Sequence, residues 1–161
     1  MISILEPGFA SRLAWLADAD TQVVFAGRDD ADGHRAVQLA QAVGIRHLGG
    51  FLHGGMTAWR EEGRAAERTE RITLEEMKRR HDAGEELQIV DVREPDEYER
   101  CHIPGSTLAP WHDIAGVPAG LDPSRPIAAI CGSGKRSGIA ASLLQRFGAE
   151  QPIHVLSLIH I

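Results

Sequence analysis

One order of events occurs twice in this chain of 161 residues, and it leaves few folds open. TQVVFAG is followed by the polar DDADGHR, by an alanine-rich RAVQLAQAVG and by IRHLGGFL. RPIAAIC is followed by GSGKRS, by GIAASLLQRFG and by AEQPIHVL. A gapless shift of 104 residues puts Gly44 on Gly148 and Leu52 on Leu156. Each unit reads as a buried strand, a turn, an amphipathic helix, a glycine stop and a second buried strand. A strand that returns through a helix runs parallel to the first. The expected fold class is therefore α/β, a parallel sheet with helices on both faces. Gly44 and Gly148 suit the left-handed residue that ends a helix. In the second helix Ile139, Ala140, Leu143, Leu144 and Phe147 form the expected apolar face.

Between the repeats, GRAAERTERI is charged and aperiodic and reads as a linker, with a boundary near Arg68. The expected domains are residues 1–67 and 68–161. Thr73-Leu74-Glu75-Glu76 is a capping-box pattern, starting a helix that should end near Ala83-Gly84. LQIVDV, residues 87–92, suits a buried parallel strand. Pro95 starts a short acidic helix, PDEYER, and Pro104, Pro110, Pro118 and Pro123 punctuate a long connection. The first unit has no counterpart of the Thr73 helix or of LQIVDV. The second has none of the HGGMTAWREEG that follows Leu52, and ends as SLIHI. The chain reads as the back half of one domain followed by most of another. It is expected to be a fragment of a longer protein, with the nativeness of its SLIHI end in question.

Composition removes several function classes. Seventeen Lys and Arg face 23 Asp and Glu, a formal net charge of -6, which leaves no basic surface for nucleic acid. Hydrophobic residues at 43% and charged residues at 25% describe a globular chain. No apolar run approaches the roughly 18 residues of a membrane span. The N-terminus lacks a basic region and a long apolar core, so no signal peptide is read. Two cysteines, Cys101 and Cys131, make no disulfide framework, and a cytoplasmic setting is the default expectation. The eight histidines are scattered singly, with no metal-ligand spacing. Asp29, Asp30 and Asp32 do not form a calcium loop: with Gly33 at the glycine place, Arg28 and Leu39 would fall at the first and last ligand places. No metal site is expected.

Chemistry concentrates at Cys131, at the end of a buried strand and just before a helix expected to start near Ser137. Between them lie Gly132, Ser133, Gly134, Lys135 and Arg136. Glycines let successive N–H groups turn inward as an anion-binding nest. The helix N-terminus adds positive potential at the same spot, and Lys135 and Arg136 add cations at its rim. All three effects favour a thiolate over a thiol, so Cys131 is the candidate nucleophile. The bland alternative is a buried structural cysteine before a tight turn.

From about Ile72 to Leu156 the chain resembles the rhodanese (sulfurtransferase) family. IVDVREPDEYERCHIPGS is similar to the family's first-strand signature, D-x-R-E followed by G-H-I-P-G-A. CGSGKRS is similar to its active-site loop, with the catalytic cysteine first. The resemblance implies that Cys131 takes sulfane sulfur from thiosulfate or a persulfide and passes it to a thiol, sulfite or cyanide, without a cofactor. It implies that Gly132, Ser133, Gly134, Lys135, Arg136 and Ser137 hold the substrate. Related phosphatases and arsenate reductases have one more residue between Cys and Arg. Here four residues separate Cys131 from Arg136, which favours sulfur transfer. The first unit also resembles a rhodanese domain, down to Gly54-Gly55 and Trp59. Its loop position holds Ala26 or Gly27, and no cysteine precedes residue 101, so it reads as non-catalytic. An inactive unit followed by an active one is similar to the C-terminal region of proteins that begin with a metallo-β-lactamase-fold domain. The expected partners are small sulfur donors and thiol acceptors and such an upstream domain, not nucleic acid or a membrane. A rival from another class is a persulfide carrier without turnover of its own.

Asp91 and Arg93 match the family's D-x-R and are given a supporting role, with an ion pair or loop clamp as the alternative. His102 reads as a hydrogen-bonded structural residue. Cys101 stands where the family has glycine and would be strained if that backbone needs a positive φ. A resolving thiol is its other reading. Trp111 is expected to pack, and Ser133 to offer a hydrogen bond or simply to be small.

Overall fold

The computed structural model describes residues 8–17 and 20–156. MISILEP, on which the signal-peptide reading partly rests, and SLIHI, whose nativeness was in question, lie outside the described residues. The chain divides into two compact units between Glu67 and Arg68.

The first unit contains α1 (Phe9–Leu16), β1 (Val23–Phe25), α2 (Asp30–Ala42), β2 (Leu48–Phe51) and α3 (Gly55–Glu61). β1 and β2 pair in parallel, as a strand–helix–strand unit requires. Phe9 and Leu13 of α1 meet Ala36 and Ala40 of α2, with Ile45, Val23 and Phe25 packed among them. Strand alternation then sends Val24 to the opposite face, where it is 63% exposed. Gly44, at φ 84, supplies the left-handed residue after α2.

The second unit runs β3 (Glu70–Thr73), α4 (Leu74–Asp82), β4 (Gln88–Asp91), α5 (Pro95–Arg100), β5 (Thr107–Leu108), a 3-10 turn at Trp111–Asp113, β6 (Ile127–Ile130), α6 (Lys135–Arg146) and β7 (Pro152–Leu156). Its sheet has the order β3-β7-β6-β4-β5, and every pair is parallel. β6 is the central strand, and all four of its residues are buried. Ala128 and Ile130 face a cluster with Ile72, Met77, Ile89, Ile153 and Val155, beneath α4. α6 packs against β6 and β7 through its buried Ile139, Ala140, Ala141 and Leu144. Each fully buried Ile or Leu side chain contributes about 1.5–3 kcal/mol. The fold class is thus α/β, a central parallel sheet flanked by helices.

Three local expectations change. ERIT at the end of the presumed linker is the edge strand β3, paired with β7. Only Ile72 of its four residues is buried, so it carries no apolar run to read. In α4 the Thr73 hydroxyl accepts the Glu76 N–H at 3.2 Å, but the Glu76 carboxylate turns to Arg79 and Arg80. Those two guanidiniums hold the Glu76 carboxyl down at about 2. On α6, Phe147 is exposed beneath the Arg146 guanidinium, and Ala141 takes its expected place in the core. Among the described residues no helix is long and apolar enough to cross a membrane.

Candidate active site

The topology fixes where a ligand can sit. β4 connects to β5 on one side of the sheet, and β6 connects through α6 to β7 on the other. The crevice at the carboxyl ends of the adjacent β4 and β6 is a topological switch point, where open α/β sheets bind ligands. Cys131 follows the last residue of β6, and Asp91 is the last residue of β4.

Cys131 is only 1% exposed. Four residues, 131–134, separate β6 from α6, and Gly134 at φ 77 is the helix N-cap, with no side-chain cap. This left-handed glycine starts α6 at Lys135, two residues before the expected Ser137. Lys135, Arg136 and Ser137 therefore lie in the first helical turn, whose amides have no partner within the helix. Ser137 N–H donates to Cys131 Sγ at 3.3 Å, and the thiol lies 3.4 Å from Ser137 Oγ. The Ser137 hydroxyl also sits 3.1 Å from the carbonyls of Gly134 and of Val155, tying the loop to β7. His154 of β7 donates Nε2–H to the same Gly134 carbonyl at 2.7 Å. Burial pushes the His154 imidazole below its ordinary value. A Cβ at Gly138 would lie 3.2 Å from that ring, so glycine lets helix and imidazole meet. Ser133 stands exposed at the middle of the loop.

Arg136 does not simply add charge at the rim. Its guanidinium is bound end-on by Glu97 of α5, Nη1 to Oε2 at 2.5 Å and Nη2 to Oε1 at 2.9 Å. The Arg136 bonds hold the Glu97 carboxyl at about 2, and the arginine is correspondingly raised. Glu97 and His154 are the residues at this loop that no sequence signal announces. PDEYER reads as an acidic helix, and nothing in the spacing shows that its third residue points at the loop. Beside it, Glu94 Oε2 lies 3.1 Å from His112 Nε2, a contact that raises the imidazole above its ordinary value.

Asp91 and Arg93 form the ion-pair clamp. Arg93 Nε lies 2.9 and 3.0 Å from the two carboxylate oxygens of Asp91, and Nη2 lies 2.6 Å from Oδ2. Nη2 also donates to the Cys101 carbonyl at 2.7 Å, so the pair pins the loop after α5 to the end of β4. Asp91 is fully buried, and its bonds raise the arginine. Cys101 has φ -164, which is extended backbone, so the strain considered for it is absent and its thiol is exposed. His102 donates Nδ1–H to the Tyr98 carbonyl at 3.0 Å and stacks on the Tyr98 ring. Trp111 is buried in the turn against α6. Among the described residues no cluster of three His, Cys, Asp or Glu side chains could hold a metal ion.

The chain is similar to several known proteins in sequence and fold. Residues 73–158 match the rhodanese-like domain family. YrkF of Bacillus subtilis, named as a candidate sulfur carrier protein, is 39% identical over 85 residues, 53% of this chain. The chain spans less than half of that protein, 46% of its length. The thiosulfate:glutathione sulfurtransferase of Saccharomyces cerevisiae is 31% identical over 113 residues, 58% of this chain and 79% of that protein. The crystal structure of a rhodanese-like domain protein from Staphylococcus aureus superposes with a TM-score of 0.52 at 26% identity, covering 57% of this chain and 89% of that one. A cysteine loop at the switch point of a parallel sheet and a family match across more than half the residues lead to one assignment: this chain belongs to the rhodanese-like domain family.

Proposed function

We propose that the second unit is a sulfurtransferase that carries sulfane sulfur as a persulfide on Cys131. The observation that carries the reading is the buried Cys131 sulfur at the end of β6, accepting an amide N–H from the first turn of α6. Helix N-terminal amides are donors that attract anions. The thiolate attacks the outer sulfur of thiosulfate, a sulfur–sulfur bond forms, and the bond to the sulfonyl sulfur breaks. Sulfite leaves with the electron pair, and Cys131 keeps the persulfide anion. A thiolate acceptor then attacks the terminal sulfur, a new persulfide leaves, and the Cys131 thiolate returns. Sulfite or cyanide serves equally as the attacking nucleophile. Gly132, Ser133, Gly134, Lys135, Arg136 and Ser137 hold the donor through main-chain N–H groups and two cations, and Asp91 and Arg93 support the loop. The similarity to the yeast sulfurtransferase supports this class of reaction.

The similarity to YrkF favours a second reading, a carrier that accepts sulfur on Cys131 and releases it only to a partner enzyme. By the resemblance noted in the sequence, that partner is an upstream metallo-β-lactamase-fold domain, with the first unit as a non-catalytic companion and the cytoplasm as the setting. Mass spectrometry after thiosulfate treatment tests both readings. The chain should gain one sulfur atom, and Cys131→Ser should not. Glutathione should then remove the sulfur with turnover, whereas a carrier would keep it. Hydrolysis of an aryl phosphate without sulfur loading would replace both readings with a phosphatase.

A further inference from the structure

We infer that Glu97 selects sulfur donors by charge: closed on Arg136, it withdraws a cation from the loop and biases the site away from dianionic donors. The inference deepens the reading of Cys131 as sulfur acceptor and rests on it. Arg136 is placed to meet the donor. Its Nη2 lies 3.8 Å from where a Cβ on Gly132 would stand, so the guanidinium overhangs the first residue after the cysteine. Each of its terminal nitrogens bonds one Glu97 oxygen, at 2.5 and 2.9 Å. Glu97 Oε2 also accepts the Glu94 N–H at 3.2 Å, so the backbone of α5 holds the carboxylate in position. The side chains are 21% and 31% exposed, and the pair is screened less than one on open surface.

Held at about 2, the Glu97 carboxyl is ionised at every working pH, so the pair is a fixed part of the site and not a switch. Glu94, whose N–H donates to Glu97, has its own carboxylate paired with His112 at 3.1 Å. A sulfonate approaching the loop therefore meets an arginine whose charge is already balanced. Lys135, in the first turn of α6, is the loop's other cation. Coulomb energy is proportional to the donor's charge. Removing the Glu97 charge therefore helps a dianion twice as much, in free energy, as a monoanion.

Thiosulfate and methanethiosulfonate make the probe pair. Both present a sulfane sulfur on a sulfonyl group, and they differ by one negative charge. Glu97→Gln keeps an acceptor oxygen and the side-chain shape while removing the charge. Its KM for thiosulfate should fall about fivefold and that for methanethiosulfonate about twofold, with kcat little changed for either. Arg136→Gln should move both KM values in the opposite sense. The double variant should return the ratio of the two to that of the unmodified chain, and this holds even if one single variant folds poorly. Equal shifts for the two donors, or a rise in both with Glu97→Gln, would make Glu97 a strut between helices and overturn the inference. Sulfur loading that survives Cys131→Ser would instead remove the reading beneath it.

Discussion

Two loops in this chain share a local architecture and spend it differently. Residues 26–29 join β1 to α2, and residues 131–134 join β6 to α6. In the first, carboxylates take the helix N-terminus. Asp29 caps α2 by accepting the Asp32 N–H at 3.0 Å. Asp32 accepts from the Arg28 N–H and holds its guanidinium at 2.7 and 3.0 Å. Asp30 accepts the Gly54 N–H at 2.6 Å. The start of α3 also lies against the loop, since a Cβ on Gly55 would fall 2.4 Å from the Arg28 carbonyl. In the second loop a left-handed glycine stands at the cap, and the Ser137 amide is turned to sulfur. A helix N-terminus attracts one set of anions. Carboxylates of the first loop occupy it and stabilise the helix, whereas residues 131–137 carry no carboxylate and the Ser137 amide meets the Cys131 sulfur instead.

A graft separates the two loops most directly. Counted from the strand end and the helix start, Ala26 stands opposite Cys131, because α2 has 13 residues and α6 has 12. Ala26→Cys in a Cys131→Ser background should gain no sulfur from thiosulfate by mass spectrometry, since Asp29 and Asp32 crowd the same helix end. Loading at the grafted position would show that the acidic residues do not close the first loop.

The next effect compares the two acid–arginine pairs. Asp91 is fully buried, and Asp91→Ala would leave Arg93 charged in the interior. Breaking such a pair costs about 3–5 kcal/mol, read as a lower urea midpoint for the second unit. Arg28 is 67% exposed, and Asp32→Ala should shift the first unit far less. Equal shifts would show that burial is not what separates the pairs.

The smallest effect is a pH slope. Burial holds His154 below its ordinary 6.5, so as pH falls the unfolded chain takes up this proton before the folded one. The stability associated with the neutral ring is present above that value and is lost as pH falls through it towards the folded one. His154→Gln retains a donor for the Gly134 carbonyl. Its Tm should therefore fall less than that of the unmodified chain between about pH 7.5 and about pH 5.5. His112, raised by Glu94, contributes with the opposite sign in both proteins and cancels in the difference. A steeper fall in the variant would contradict a neutral His154.

Much of this was legible in the residues. β6 and β4 are dense apolar runs, Gly44 and Gly148 mark helix ends, and CGSGKRS places a thiol between a strand and a helix. These are local signals of period, turn and stop, read within a dozen residues. β3 was not legible, because an edge strand buries too little to leave a pattern. The Glu97 contact was not legible either, since it crosses 39 positions to reach Arg136.

Residue order alone was enough to place a cysteine between a buried strand and a helix and to make the sheet parallel. Periodicity and glycine placement suffice for that. The packing of the folded chain was needed to pair Arg136 with Glu97, to bring Asp91 and Arg93 to the Cys101 carbonyl, and to set His154 of the neighbouring strand against the loop. Those contacts depend on which strands become neighbours, and side-chain charge is set by what lies within a few ångströms in space.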